Sequence, residues 1–311
     1  SDDAERAIPL LKSQVHGLIS QNIIPTVKHF PGDGATIADQ HLVTSANNLS
    51  WVEWKKSYGK IFQSFIDDNA PTIMVGHIRF PAYQKKDTLN GDLLPASLSQ
   101  EMIQRLLKKE MGYKGVVISD ALNMGGSYGF YESELETAVQ CFVAGADVVL
   151  WPPLGYMDTI EARINRGEIP MERLDDAVER VWALREHYNL INKENRMPIA
   201  AEKPANFEAT TSATLTTLAE KAVTMVKNTN NVLPLDTTTT KRILLANISH
   251  SDYSATFEVM KQELEKYGFQ VDIKHDLHKN DWEWRWDQLL AYDKVIVCFE
   301  NHYFDPIGSP L

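Results

Sequence analysis

The chain is poor in cysteine: Cys141 and Cys298 are the only two in 311 residues. Both sit in apolar contexts, AVQCFVAG and KVIVCFEN, which predicts buried thiols rather than a disulfide or a metal site. No apolar run is long enough to span a bilayer. No signal sequence is expected at the start, because SDDAERAIPLLKSQV is acidic and then helical. Blocks of like charge are also missing. Asp and Glu outnumber Lys and Arg by 42 to 31, a formal net charge of -11, but they are scattered. Such a surface argues against nucleic acid or an anionic membrane as the main partner. No HExxH or comparable ligand spacing occurs, so no metal is expected. PGDG at Pro31–Gly34 lacks the GxxxxGK[ST] order of a phosphate-cradling loop, and no cofactor is expected.

What remains is ordinary globular composition, 43% hydrophobic and 23% charged, with the length of about two domains. Four short apolar runs stand out: Ile23–Phe30, Pro71–Ile78, Gly115–Ala121 and Ala146–Pro152. Each has the length of a strand buried on both faces. Helical patterns alternate with them, over Ala4–Gln21, Ser50–Asn69, Ser99–Met111, Glu132–Ala144 and Leu174–Tyr188. Trp51, Trp54, Tyr58, Phe62 and Phe65 form the buried stripe of the second, and Ser99 is placed as N-cap of the third. Alternating strand and helix predicts a parallel sheet, and polar residues just past the strand ends match the active face of an α/β barrel. A full barrel needs roughly 250 residues. The expectation is therefore the second half of a TIM-type (β/α)8 barrel over residues 1–190, without its N-terminal half.

Residues 191–214 read as a polar linker. Residues 215–311 read as a second α/β unit, a sandwich that is incomplete at its C-terminus. Its expected elements are a helix over Leu215–Lys227, strands over Lys241–Ile248, Phe269–Lys274 and Asp293–Glu300, and helices over Ser254–Tyr267 and Trp282–Tyr292. The alternating Trp and charged residues of Trp282–Trp286 predict a half-buried face rather than a sugar-stacking strip. His16, His187 and His250 are read as ordinary histidines, and Asp147 as a strand or turn cap.

Two constellations carry chemistry. In KHFPGDGATIADQH, a strand delivers Lys28 and His29, and Gly32 and Gly34 permit a tight turn. The loop then presents Asp39 and His41, two apart. A carboxylate so close to an imidazole can fix its tautomer and stabilise its cation, leaving the other nitrogen to exchange a proton. In GVVISDALNMGG, Asp120 ends an apolar run. It suits a nucleophile aimed into a barrel mouth and, equally, a helix N-cap. Asp33, in the glycine turn, is a rival carboxylate.

Taken together and in order, KHFPGDG, DQH, TIMVGHIRFPA, PASLS, GYKGVVISDALNMGG and AGADVVLWP resemble glycoside hydrolase family 3. The resemblance covers Asp2 to about Leu190. The first loop is similar to the KHFPGHGxxxxDSH signature of the family's β-N-acetylglucosaminidases, whose relatives acting on plain glucosides lack the Asp-x-His pair. Ala219–Leu235 resembles the start of the second domain of the two-domain members. The resemblance implies Asp120 as nucleophile, His41 as general acid/base and Asp39 as its orienting partner. It also implies substrate contacts from Lys28 and His29, with His77 and Met124 near the subsite. Two positions depart from the pattern: Asp33 stands for the His of PGHG, and Gln40 for the Ser of DSH. The implied substrate is a glycan with terminal β-linked N-acetylglucosamine, from peptidoglycan fragments or chitooligosaccharides. A phosphorylase or β-glucosidase of the same family is the alternative, and a catalytically silent carbohydrate-binding fragment is the alternative of another class. Cysteine usage fits either the cytoplasm or a bacterial cell surface.

Overall fold

The computed structural model describes residues 3–192, 207–247, 254–275 and 286–298. The chain divides into two compact units, Ser1–Ala201 and Glu202–Leu311.

The first unit is built on parallel strands β1 (Thr26–Phe30), β3 (Thr72–Val75) and β7 (Val116–Ser119), in spatial order β1-β3-β7. The fourth apolar run adds a single parallel bridge, Ile118 to Val148. The strands are Val- and Ile-rich, and β3 and β7 are buried at nearly every position, as helices on the outside require. Threonines pin the first register: Thr26 is opposite Thr72, with their hydroxyl oxygens 2.7 Å apart. The register of β1 against β3 then shifts between Val27 and Phe30, and the Lys28–His29 and Phe30–Pro31 peptide bonds are cis. A side pair, β2 (Ser45–Ala46) with β4 (Ile78–Arg79), joins the loops above these strands.

Helix α1 (Ala4–Ser20) is capped by Asp3, which accepts from the Glu5 N–H. The helix expected over Ser50–Asn69 is two helices, α2 (Trp51–Lys56) and α3 (Tyr58–Ile66). Ser50 and Glu53 form a reciprocal capping box at its start. The chain breaks at Ser57 (φ -116, ψ -100), and Gly59 slides under Trp54: a Cβ there would lie 2.6 Å from the indole. The aromatic stripe survives the break: Trp54 and Phe62 are buried against Phe30 and Ile73, and Phe65 is buried as well.

The helix expected from Ser99 is a π-helix over Glu101–Glu110. Ser99 still receives the Met102 N–H, and Asp87 accepts from both Ser99 Oγ and Glu101 N. Glu101 reaches back to the N–H groups of Lys85, Lys86 and Asp87. These bonds anchor a hairpin that sequence periodicity did not reveal, β5 (Thr88–Leu89) with β6 (Asp92–Leu93).

Helices α4 (Glu134–Ala144), α5 (Tyr156–Asn165) and α6 (Met171–His187) complete the unit, with α5 absent from the sequence reading. Asp147 does more than cap a turn. It accepts from Val117 N and from the buried Lys108 and Arg173 side chains, tying the π-helix and α6 to β7. Breaking such a buried ion network at one member costs about 3–5 kcal/mol. Cys141 is buried and free, and burial pushes its thiol up to about 12. His16 lies on the surface, paired with Asp68, and His187 is exposed.

The second unit opens with helix α7 (Phe207–Ala222), which begins eight residues before the expected Leu215 and stops before Lys227. Its sheet is parallel, order β10-β8-β9, from β8 (Arg242–Asn247), β9 (Gln270–Lys274) and β10 (Lys294–Cys298). Helix α8 (Ser254–Lys266) buries Phe257 against Ile243, Leu245 and Val271. Residues 281–285, which hold most of the WEWRW run, His250 and the Cys298 side chain lie outside the described residues. A short helix α9 (Trp286–Leu289) lies within the expected Trp282–Tyr292.

Candidate active site

All seven candidate residues of the first unit lie on the end of β1 and on the loops that follow β1, β3 and β7. β1 carries Lys28 and His29 to the C-terminal end of the sheet. Gly32 (φ +127) and Gly34 (φ +91) turn the chain in the left-handed region, as the turn expected there requires. At Gly32 a Cβ would also meet the Tyr58 ring at 2.4 Å. The turn is fastened by Trp54 Nε1 donating to Pro31 O at 2.6 Å and by Asn47 donating to Gly32 O.

Asp120 follows β7 directly. Its N–H donates to Val75 O, and its Oδ1 accepts from Ala121 N at 2.8 Å. No helix begins at Ala121, so the N-cap reading of Asp120 falls away: the next helical turn is Gly125–Ser127. The carboxylate is almost buried, at 9% exposure, with Oδ2 3.5 Å from His29 Nε2. Burial pushes the His29 pKa down. The Asp120 carboxylate opposes that, Lys28 adds to it, and Asp33 opposes it again.

Asp39 and His41 meet as their spacing implies. His41 Nδ1 is 2.7 Å from Asp39 Oδ1, which also accepts the His41 backbone N–H. Burial pushes the Asp39 carboxyl up, but the His41 N–H and ring together outweigh it and hold the group below its usual range. Because Oδ1 sits on Nδ1, Nε2 is the ring atom turned away from the carboxylate.

The loop that carries this pair is stitched to the turn after Asp120. Gly125 N donates to His41 O, Gly126 N to Gln40 O, and Thr44 Oγ1 to Gly126 O. A Cβ on Gly125 would lie 2.2 Å from Leu42 O, and one on Gly126 2.5 Å from Gln40 O. The two glycines of NMGG are a seat that admits the loop backbone.

His77 packs beneath the site, against the residue that follows Asp120. It is fully buried, with Nδ1 2.8 Å from Ser97 Oγ and Nε2 2.9 Å from Ala121 O. A carbonyl only accepts, so Nε2 carries the proton and Nδ1 takes the serine hydroxyl. Both nitrogens are engaged by protein, and His77 holds the residue after Asp120. Met124 is buried in the turn 121–128, and Lys28 is exposed at the rim. Ser97 and the two glycines were not singled out in the sequence. The one signal for Gln40 was its departure from the motif at a position between Asp39 and His41.

A cavity of about 620 Å³ opens at the other end of the strands, beside Pro71, Gly115 and Arg180, away from these groups. Among the described residues no cluster of three or more His, Cys, Asp or Glu could hold a metal, and no helix is long and apolar enough to cross a membrane.

An α/β-barrel strand end with a carboxylate, and a neighbouring loop with a carboxylate–imidazole pair, define an enzyme-like site of the barrel class. The Glycosyl hydrolase family 3 N terminal domain matches residues 1–184, and the chain belongs to that family. A Cellulomonas fimi protein named beta-N-acetylglucosaminidase/beta-glucosidase is 31% identical over 256 residues, which is 80% of this chain and 44% of the relative. Among solved structures, beta-glucoside phosphorylase BglX is similar with TM-score 0.81 at 28% identity, covering 96% of this chain and 55% of that one. A family 3 beta-N-acetylglucosaminidase from a Paenibacillus species gives TM-score 0.76 at 26% identity, covering 91% and 54%. The chain thus spans about half the length of the relatives it matches.

Proposed function

We propose that this chain carries the catalytic groups of a retaining glycosidase that removes terminal β-linked N-acetylglucosamine. The observation that carries the reading is the 2.7 Å Asp39–His41 pair on a loop bonded, through Gly125 and Gly126, to the turn that follows Asp120. Names of relatives support the same sugar: the Cellulomonas fimi protein and the Paenibacillus enzyme are both named for β-N-acetylglucosaminide cleavage.

In the first step His41 Nε2 gives its proton to the glycosidic oxygen as Asp120 attacks the anomeric carbon. The aglycone leaves as an alcohol, and an ester forms on Asp120. In the second step the now neutral imidazole takes a proton from water as its oxygen displaces the ester, and both groups return to their starting states. Asp39 holds the tautomer and stabilises the cation. Lys28 and His29 donate to sugar hydroxyls, and Met124 supplies an apolar wall. An imidazole can act as both acid and base near neutral pH, where a carboxylic acid needs upward tuning.

The acceptor has a second candidate. A neutral imidazole does not repel an anion as a carboxylate would, and a similar solved structure is named a phosphorylase. Phosphate in place of water would give a glycosyl phosphate from the same intermediate.

The test is release of aryl alcohol from an aryl β-N-acetylglucosaminide and from the matching β-glucoside, by the chain and its Asp120→Asn and His41→Ala variants, with and without inorganic phosphate. The reading expects turnover of the acetamido sugar, lost in Asp120→Asn. Turnover that survives Asp120→Asn contradicts it, and a phosphate-dependent rate selects phosphorolysis.

A further inference from the structure

We propose that Gln40 and Asp33 are a coupled pair of positioning residues that clamp the Asp39–His41 loop against the end of β7 and set His29 against Asp120. The proposal rests on the roles given above to Asp120, Asp39 and His41, and adds two residues that touch none of the reacting atoms.

Gln40 stands between the two members of the pair in sequence, yet it is only 3% exposed. Its polar groups go to three different segments. Nε2 donates to Asp33 Oδ2 at 2.8 Å, Oε1 accepts from His77 N at 2.9 Å, and its backbone oxygen accepts from Gly126 N at 3.0 Å. The slot for the side chain is made by Gly76, where a Cβ would fall 2.9 Å from Gln40 Oε1 and 3.0 Å from His29 Cβ. One buried residue therefore joins the β1 turn and the β3 end through its side-chain amide, and the β7 turn through its backbone oxygen. Asp33 is fixed in its own turn, with Oδ1 accepting from Gly34 N, and its Oδ2 lies 3.6 Å from His29 Nδ1. The line of groups runs from His77 N through Gln40 and Asp33 to His29, and ends on Asp120.

The two positions at which the loop departs from the family signature are bonded to each other. A serine hydroxyl can donate and accept at once, but its side chain is two carbons shorter than that of glutamine and does not reach both Asp33 and His77 N. A glutamine at 40 without an acceptor at 33 would bury an amide donor unsatisfied, at a cost of roughly 1–3 kcal/mol.

The test reverses the bond. Gln40→Glu sets a carboxylate against Asp33 and removes the donor. Asp33→Asn in the same chain restores a hydrogen bond of opposite direction, Asn to Glu, while the His77 N–H keeps its acceptor. Misplacement of groups by about 1 Å can cost on the order of 100-fold in rate. The expected result on an aryl β-N-acetylglucosaminide is thus a kcat about 100-fold lower in Gln40→Glu with KM little changed, and substantial recovery in Asp33→Asn/Gln40→Glu. A Gln40→Glu protein that matches the parent, or a double variant no better than the single, overturns the clamp. The His29 ring resonance, assigned by its loss in a His29→Asn variant, gives a readout that needs no substrate. It should move in Gln40→Glu and return in the double variant. If the parent fails to turn over the sugar, the substrate reading fails while this resonance still decides the clamp: movement with recovery supports it, and an unmoved resonance overturns it.

Discussion

His29 Nε2 stands 3.5 Å from Asp120 Oδ2. An imidazole that burial keeps neutral has one N–H to give, and it serves the carboxylate or a sugar hydroxyl lying beside it. His29→Asn should lower kcat/KM on the aryl acetamido sugar about 10- to 100-fold, the value of a hydrogen bond to a charged group. Steady-state kinetics check this, with a thermal melt to confirm the fold.

In the proposed mechanism Asp39 acts only through His41. Asp39→Asn keeps the shape and removes the charge, and kcat should fall by about 100-fold or more, within the range of general acid–base catalysis. The loss should be smallest for aryl leaving groups of low pKa, which leave with little protonation. A series of aryl glycosides measures that dependence, and an unchanged rate across the series would count against the dyad.

Gly126→Ala tests the seat of the loop. The added methyl would lie 2.5 Å from Gln40 O, so the Asp39–His41 loop must lift. The variant should lose about 100-fold in kcat, as for other small misplacements. Overpacking should cost about 1–3 kcal/mol of stability, read by denaturant unfolding.

His77 makes a prediction about stability. Burial holds its folded pKa below the reference value of 6.5, while the unfolded chain titrates near about 6.5. The unfolded state therefore binds the extra proton first. The stabilisation is full above that pH and declines as pH falls from it toward the lower folded value. Unfolding free energy between pH 7 and pH 5, followed for the parent and His77→Gln, should fall more steeply in the parent.

Much of this site was legible because its chemistry is local. Asp39 and His41 are two residues apart, and loop curvature alone brings them together. Lys28, His29 and Asp120 are placed by strand ends, which β-branched runs mark clearly. What was hidden depended on distant backbone. The sequence placed His77 near the subsite but could not show that Ser97 and Ala121 occupy its two nitrogens. Gln40 looked incidental because its partners, Asp33, His77 and Gly126, arrive from three segments. The split at Ser57 escaped the periodicity because the aromatic stripe continues in phase across it. Helix α5 and the hairpin of β5 and β6 escaped it too, the hairpin being held by Glu101 and Asp87 side chains rather than by an alternating pattern.

The most direct test of the account is to catch the glycosyl ester. A 2,4-dinitrophenyl β-N-acetylglucosaminide needs no acid to leave, so His41→Ala should still undergo the first step and then stall for want of a base. Intact mass after a rapid quench should rise by one glycosyl residue, and peptide mapping should place it on Asp120. Absence of the adduct while dinitrophenol is released, or an adduct on Asp33, would contradict the assignment of Asp120 as nucleophile.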